Sequence, residues 1–141
     1  MDDEAQVLAV NAAFYDAFEA LDYDAMAACW SQRPSDTCVH PGWAPLHGWS
    51  SIRQSWRTIF ANTGYMRVRP ADVSVRLDRD LAVLTCVEEL YSVAESVTVQ
   101  GAVACTHVFE RVDGTWRVVL HHGSPIAASQ RATLHDPTGV N

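Results

Sequence analysis

The residues best suited to chemistry fall in one stretch, Cys38 to Phe60, which holds two of the six histidines and three of the five tryptophans. His40 leads it, followed by Pro41-Gly42-Trp43. An imidazole there can take or return a proton near neutral pH, because its unperturbed pKa is about 6.5. The competing role for His40 is structural, with the ring bonded to the Pro-Gly loop and holding it closed. Trp43 follows that loop and is the indole best placed to touch a bound molecule. Trp56 and Phe60 stand four apart on a helical pattern, the spacing of core residues that also wall a cavity. The stretch reads as the wall and rim of a hollow.

A second group lies near the C-terminal end. Strict alternation puts His122 on the strand face of Trp116, Val118 and Leu120, and His121 on the face of Arg117 and Val119. If the Trp116 face looks inward, His122 enters the pocket and His121 serves a subunit contact. His107 shares a face with Cys105 and Phe109, and Thr106 with Ala104 and Val108; either Thr106 or His107 lines the cavity. Glu89 is a weaker acid candidate. Metal ligation is the runner-up chemistry: His40, His47, His107, His121 and His122 show no His-x-x-x-His spacing. Adjacent His121 and His122 also point to opposite faces. No metal and no cofactor is therefore expected. Cys29, Cys38, Cys86 and Cys105 form no Cys-x-x-Cys pair and sit among apolar neighbours, so they read as buried reduced thiols. No phosphate-binding glycine loop and no nucleophile elbow is present.

These residues need a scaffold, and periodicity supplies one. Val7, Val10, Phe14, Ala17, Phe18 and Leu21 recur at steps of three and four, behind the acidic start Asp2-Asp3-Glu4. Asp22 caps a second helix over Tyr23–Trp30, and a brief strand over Asp36–His40 runs into the Pro-Gly-Trp loop. A third helix, Ser51–Asn62, puts Ile52, Trp56, Ile59 and Phe60 on one face. After residue 65 the period becomes two. Strands through Val73–Leu77, Leu81–Val93, Val97–Val112 and Thr115–Gly123 form an antiparallel meander, with Asp113-Gly114 a hairpin turn. Leu81, Val83, Thr85 and Val87 on one face and Ala82, Leu84 and Cys86 on the other imply cover on both sides, from helices or a cavity on one and a second subunit on the other. A homodimer is expected.

The totals narrow the partners. A chain of 141 residues is one domain by length, with 1–126 folded and 127–141 a loose tail. A net charge of −7 without any Lys/Arg cluster excludes a nucleic-acid or anionic-lipid partner. No apolar run reaches the roughly 20 residues of a membrane span, and the acidic start is unlike a signal peptide, so a cytoplasmic location is expected.

The order of elements resembles the nuclear-transport-factor-2-like cone fold, in its SnoaL-like branch. The resemblance is carried by Phe14-Tyr15-Asp16-Ala17-Phe18, Leu21 to Met26, Val39-His40-Pro41-Gly42-Trp43, Leu46-His47-Gly48-Trp49, Ile52, Ser55-Trp56, Ile59-Phe60, and Asp113 to Val119 with His121 to Pro125. It implies an α+β half-barrel of three N-terminal helices on a curved antiparallel sheet, commonly dimeric, with a deep apolar pocket for a small hydrophobic molecule. That pocket would draw on Phe14, Phe18, Trp43, Trp56, Phe60, Thr106 and His107. Ketosteroid isomerase, polyketide cyclases and dehydratases share the fold, as do domains that only bind or associate. His40 matches the segment in which the isomerase carries its general-base Asp, so His40, with His122, is the expected proton-transfer pair. The isomerase's oxyanion tyrosine would fall on Phe14, which has no hydroxyl, and its protonated Asp near Thr106 or His107. Tyr15, about 100° round the helix, reads as a poor substitute. The chain is therefore expected to be either a cofactor-independent isomerase, cyclase or dehydratase, or a non-catalytic ligand-binding or dimerisation domain.

Overall fold

The computed structural model describes residues 1–130. Its elements run α1 (Asp3–Ala20), α2 (Tyr23–Cys29), β1 (Thr37–Val39), β2 (Leu46–His47), α3 (Trp49–Ala61), β3 (Tyr65–Asp78), β4 (Leu81–Ala94), β5 (Val97–Val112) and β6 (Thr115–Pro125). The six strands form one sheet in the order β2-β1-β6-β5-β4-β3, and the α+β cone expected from the sequence is what the chain forms. Strands β3 to β6 make the antiparallel meander; β1 adds parallel to β6 and pairs with β2 in a short hairpin that alternation did not reveal. The expected tail at 127–141 lies largely outside the described residues.

Local chemistry sets the helices. The Asp2 carboxylate accepts from Ala5 N at 2.8 Å and caps α1, and Leu21 at φ 53° closes it by returning its N–H to the Ala17 and Phe18 carbonyls. Asp22 caps α2 through Ala25 N at 3.1 Å. The start of α1 is tied to the sheet where Arg111 reaches Asp3 at 2.5 Å and Asp80 at 2.8 Å. The Trp116 indole N–H adds a bond to Asp3 at 3.2 Å.

The inner face of the sheet is built by Ala82, Leu84, Cys86 and Glu88 of β4, Val103, Cys105, His107 and Phe109 of β5, and Trp116 and Val118 of β6, all buried. Beyond Val118 the alternation breaks. Phe109 pairs with Val118 but Val108 pairs with Leu120, so Val119 is an extra residue in β6. Such a bulge moves every later side chain to the other face. His121 is thereby buried and His122 exposed, the reverse of the strict-alternation expectation.

α1 lies in the concavity. Its buried residues Val7, Asn11, Phe14, Tyr15 and Ala17 meet α3 through Phe14 and Trp56, whose ring centroids are 5.6 Å apart. Trp56 is fully buried and also touches Phe18, His40, Phe60 and His121, which makes it the hub of the interior. Replacing it by alanine should cost about 3–5 kcal/mol. Trp43→Ala, at a residue 45% exposed, should cost no more than about 1 kcal/mol. Urea unfolding of the two variants checks the contrast, and equal losses would contradict this assignment of the core.

Candidate functional site

His40 ends β1 and enters a tight turn. Trp43 N donates to His40 O at 2.8 Å, with Pro41 second and Gly42 third at φ 82°, a conformation that favours glycine. The turn lies on β6 at Gly123, where a Cβ would come within 3.1 Å of Pro41 and of Val103, so a larger residue there would push the His40 loop outward. Behind the loop, Asp36 is buried and accepts from Ser31 Oγ at 2.5 Å, while its carbonyl holds Gly48 N at 2.8 Å.

The imidazole itself bonds to α3 and not to the loop. Ser55 Oγ donates to the Ile52 carbonyl at 2.6 Å, so the bond between Ser55 Oγ and His40 Nε2, 2.8 Å long, carries a proton from the ring. That fixes the tautomer and leaves the lone pair on Nδ1, with the Cys38 thiol 3.9 Å away. Burial lowers the pKa of His40 to about 4, so the ring is neutral at physiological pH.

Farther inside lies a second polar group. Tyr15 Oη donates to Glu88 Oε2 at 2.6 Å and sits 3.4 Å from the Sγ atoms of Cys86 and Cys105. Burial raises the pKa of Glu88 against the opposing Tyr15 bond. Burial first, and the neighbouring Glu88 charge second, raise that of Tyr15 as well. Asn11 Oδ1 is 2.9 Å from His107 Nδ1, and His107 Nε2 is 2.8 Å from His121 Nδ1. Desolvation lowers both of these histidines, His107 to about 3.

The structure brings together His40, Phe14, Phe18, Trp56, Phe60 and His107 on the concave side. It removes others from it. His122 is exposed by the Val119 bulge, and Thr106 lies on the outer face of β5, so His107 is the inward member of that pair. Trp43 is largely exposed, although its ring meets His40 at 4.9 Å. The hollow expected between His40, Trp56 and the last strand is occupied by ring contacts: His40–Trp56 4.8 Å, Trp56–His121 5.9 Å and Phe14–His121 5.1 Å. An apolar cleft of about 330 Å³ opens beside it instead, lined by Pro41, Leu90, Val99, Ala102, Val103 and Ile126 among others.

Sequence reasoning missed Asn11, Tyr15, Ser55, Glu88 and His121 as interior polar residues, while Cys105 is buried as expected. A signal existed for some: Val7, Asn11 and Tyr15 stand four apart on one helical line, and Glu88, unlike the Glu89 chosen earlier, continues the inward parity of Leu84 and Cys86. His121 had none, because nothing in its neighbourhood announces the extra residue.

The family model of the SnoaL-like domain matches residues 7–129. A proposed dehydratase of the NTF2-like family from Streptomyces avermitilis is 34% identical, with a TM-score of 0.81 over 88% of this chain and 96% of that one. A proposed calcium/calmodulin-dependent protein kinase type II association domain from Thiobacillus denitrificans is also 34% identical, with a TM-score of 0.75 over 84% of this chain and 94% of the other. The F-box protein SKIP8 of Arabidopsis thaliana is 26% identical over 130 residues, which are 92% of this chain and 54% of that protein. The chain thus spans about half the length of this curated relative. No helix among the described residues is long and apolar enough to cross a membrane.

The depressed pKa of His40 has a measurable consequence. Between 6.5 and about 4 the unfolded chain takes up a proton that the folded one refuses, so this contribution to stability is complete above 6.5 and is lost as pH falls. From pH 6.5 to 5.5 the loss is about 1 kcal/mol. His40→Gln should therefore gain about 1 kcal/mol relative to the parent over that interval, and parallel pH–stability curves would refute the burial of a neutral ring.

Proposed function

The chain belongs to the SnoaL-like domain family of nuclear-transport-factor-2-like folds, and on that footing we propose that it binds a small hydrophobic molecule and moves a proton on it, as a cofactor-independent dehydratase or isomerase. The observation that carries this reading is the presence, among the buried residues, of two groups of opposite tuning. His40 is a neutral imidazole with its tautomer fixed by Ser55, and Glu88 is a carboxyl whose pKa burial raises. Groups pushed apart in this way divide into a base and an acid.

In this mechanism His40 Nδ1 removes a proton from the carbon beside a carbonyl. The Tyr15 hydroxyl turns its proton from Glu88 Oε2 to the developing enolate oxygen, the role that Phe14 cannot fill. The Trp56 indole N–H is buried and finds no acceptor, so it is a further donor for a guest. In a dehydration the imidazolium returns its proton to the departing hydroxyl; in an isomerisation it returns it to a second carbon. The apolar cleft beside Pro41 favours a hydrophobic substrate, and Trp43 stands over His40 from the solvent side. The dehydratase named for the Streptomyces relative agrees with this class of reaction.

A second reading, a domain that binds or associates without turnover, is favoured by the ring contacts that fill the space between His40, Trp56 and His121. The association domain named for the Thiobacillus relative fits it. Either reading accommodates a homodimer through the outer face of the sheet, where Leu81 is 40% and Tyr91 38% exposed and Val83 and Val87 are half-buried. Val83→Glu should convert a dimer to a monomer in sedimentation velocity, and an unchanged coefficient would remove this face from the interface.

The catalytic reading is tested with apolar β-hydroxy ketones and β,γ-unsaturated ketones, following the absorbance of the conjugated product. His40→Ala should lower kcat by about 10²–10⁴-fold with the circular dichroism retained. The parent kcat/KM should be flat through neutral pH and fall on the acid side through about 4, where the ring protonates. Turnover indifferent to His40 would end the assignment, and no turnover by a folded parent protein that still binds these ketones would favour the second reading.

A further inference from the structure

Three side chains on the concave face aim donor atoms at one point: Cys105 Sγ, His107 Nε2 and His121 Nδ1, all buried and all within 4.8 Å of one another. We propose that this cluster is a binding site for a zinc-type divalent cation, with three protein ligands and one position left over. The three ligands do not include His40 or Ser55, so the site can be tested separately from the proton-transfer reading, although Tyr15 and Glu88 border both.

The spacing supports it. Cys105 Sγ is 3.7 Å from His107 Nε2 and 3.6 Å from His121 Nδ1. Around a tetrahedral ion with Zn–S of about 2.3 Å and Zn–N of about 2.05 Å, the sulfur-to-nitrogen edge is about 3.6 Å. The nitrogen-to-nitrogen edge would be about 3.3 Å by the same geometry. The two rings stand at 2.8 Å, so they need to part by roughly half an ångström, within the reach of small ring rotations.

The surroundings are arranged as for a ligand set. His107 directs Nδ1 at Asn11 Oδ1, 2.9 Å away, which places the proton on Nδ1 and turns the Nε2 lone pair to the centre. A polar partner on the outer nitrogen is what orients metal-bound histidines. On ion binding the Cys105 thiol gives its proton to solvent, and His121 shifts its proton from Nδ1 to Nε2. The Tyr15 hydroxyl, 3.4 Å from Cys105 Sγ, borders the remaining position, and Glu88 behind it supplies an anionic counterweight once ionised. Thiolate and imidazole together select borderline-soft cations such as Zn²⁺ and Co²⁺ over Mg²⁺ or Ca²⁺. The site has a simple source in the sheet: Cys105 and His107 are two apart on β5, and His107 and His121 are direct partners across β5 and β6.

The test uses the full chain, stripped with a chelator and titrated with Zn²⁺ alone or Co²⁺ alone. The proposal expects one zinc per chain after gel filtration, a raised unfolding temperature with zinc but not with magnesium, and a cobalt spectrum with a thiolate charge-transfer band and intense tetrahedral d–d bands. Cys105→Ser should abolish the charge-transfer band, and the exposed His47→Ala should leave it unchanged. Because a ligand variant can fail to fold, Asn11→Ala gives a separate reading: zinc affinity should drop about 10–100-fold with the cobalt spectrum kept tetrahedral. A stripped chain that takes up no zinc, a cobalt spectrum without the thiolate band, or zinc affinity equal in the parent and Cys105→Ser proteins would overturn the site and leave Asn11, His107 and His121 as a hydrogen-bonded chain in the core.

Discussion

The structure depends on the sealing of polar side chains under α1. Asn11 and Tyr15 from the helix meet Glu88, Cys105, His107 and His121 from the sheet, and each of them is buried. Taking such groups out of water costs several kcal/mol apiece unless each finds a partner. Here they do: Asn11 with His107, His107 with His121, Tyr15 with Glu88. The register of α1 against the sheet is thereby fixed by hydrogen bonds as well as by packing. A slide of one helical turn would separate both pairs that join α1 to the sheet, Asn11 with His107 and Tyr15 with Glu88.

Much of the fold was legible because its periodicities are long. The stripe from Val7 to Leu21 specified α1, and the change to alternation after residue 65 specified the meander, with ends within about two residues for β4 and β5. The strand β1 was legible ahead of the Pro-Gly turn, but β2, which pairs with it, has two residues, too few to show a period. The place of His40 was readable from its Pro-Gly turn, but its partner was not. Ser55 looks like any helix serine until α3 is packed against β1, and only tertiary structure brings positions fifteen apart to 2.8 Å.

The interior polar residues show where local rules stop. Tyr15 stands about 100° from Phe14, which would point the two apart on a helix packed against a flat surface. α1 lies in a concave sheet and is covered over a wider arc, so neighbours 100° apart both point inward. The histidine pair on β6 failed for another reason. Alternation is exact only in an unbroken ladder, and the single unpaired Val119 exchanges His121 for His122. One extra residue thus decides whether the last strand presents its histidine to the interior or to solvent.

The same bulge also bears on the chemistry. Without the bulge, the register set by Phe109 and Val118 would continue with Leu120 opposite His107 and an inward His122 opposite Cys105. The convergence of Cys105, His107 and His121 exists only because β6 skips one position. Bulges interrupt a ladder and leave a residue unpaired, and they concentrate beside sites where a side chain has to be re-aimed. In this chain the re-aimed side chain completes a set of three soft donors. The proposed cation site rests on that arrangement, since strict alternation would have turned His121 to the outer face.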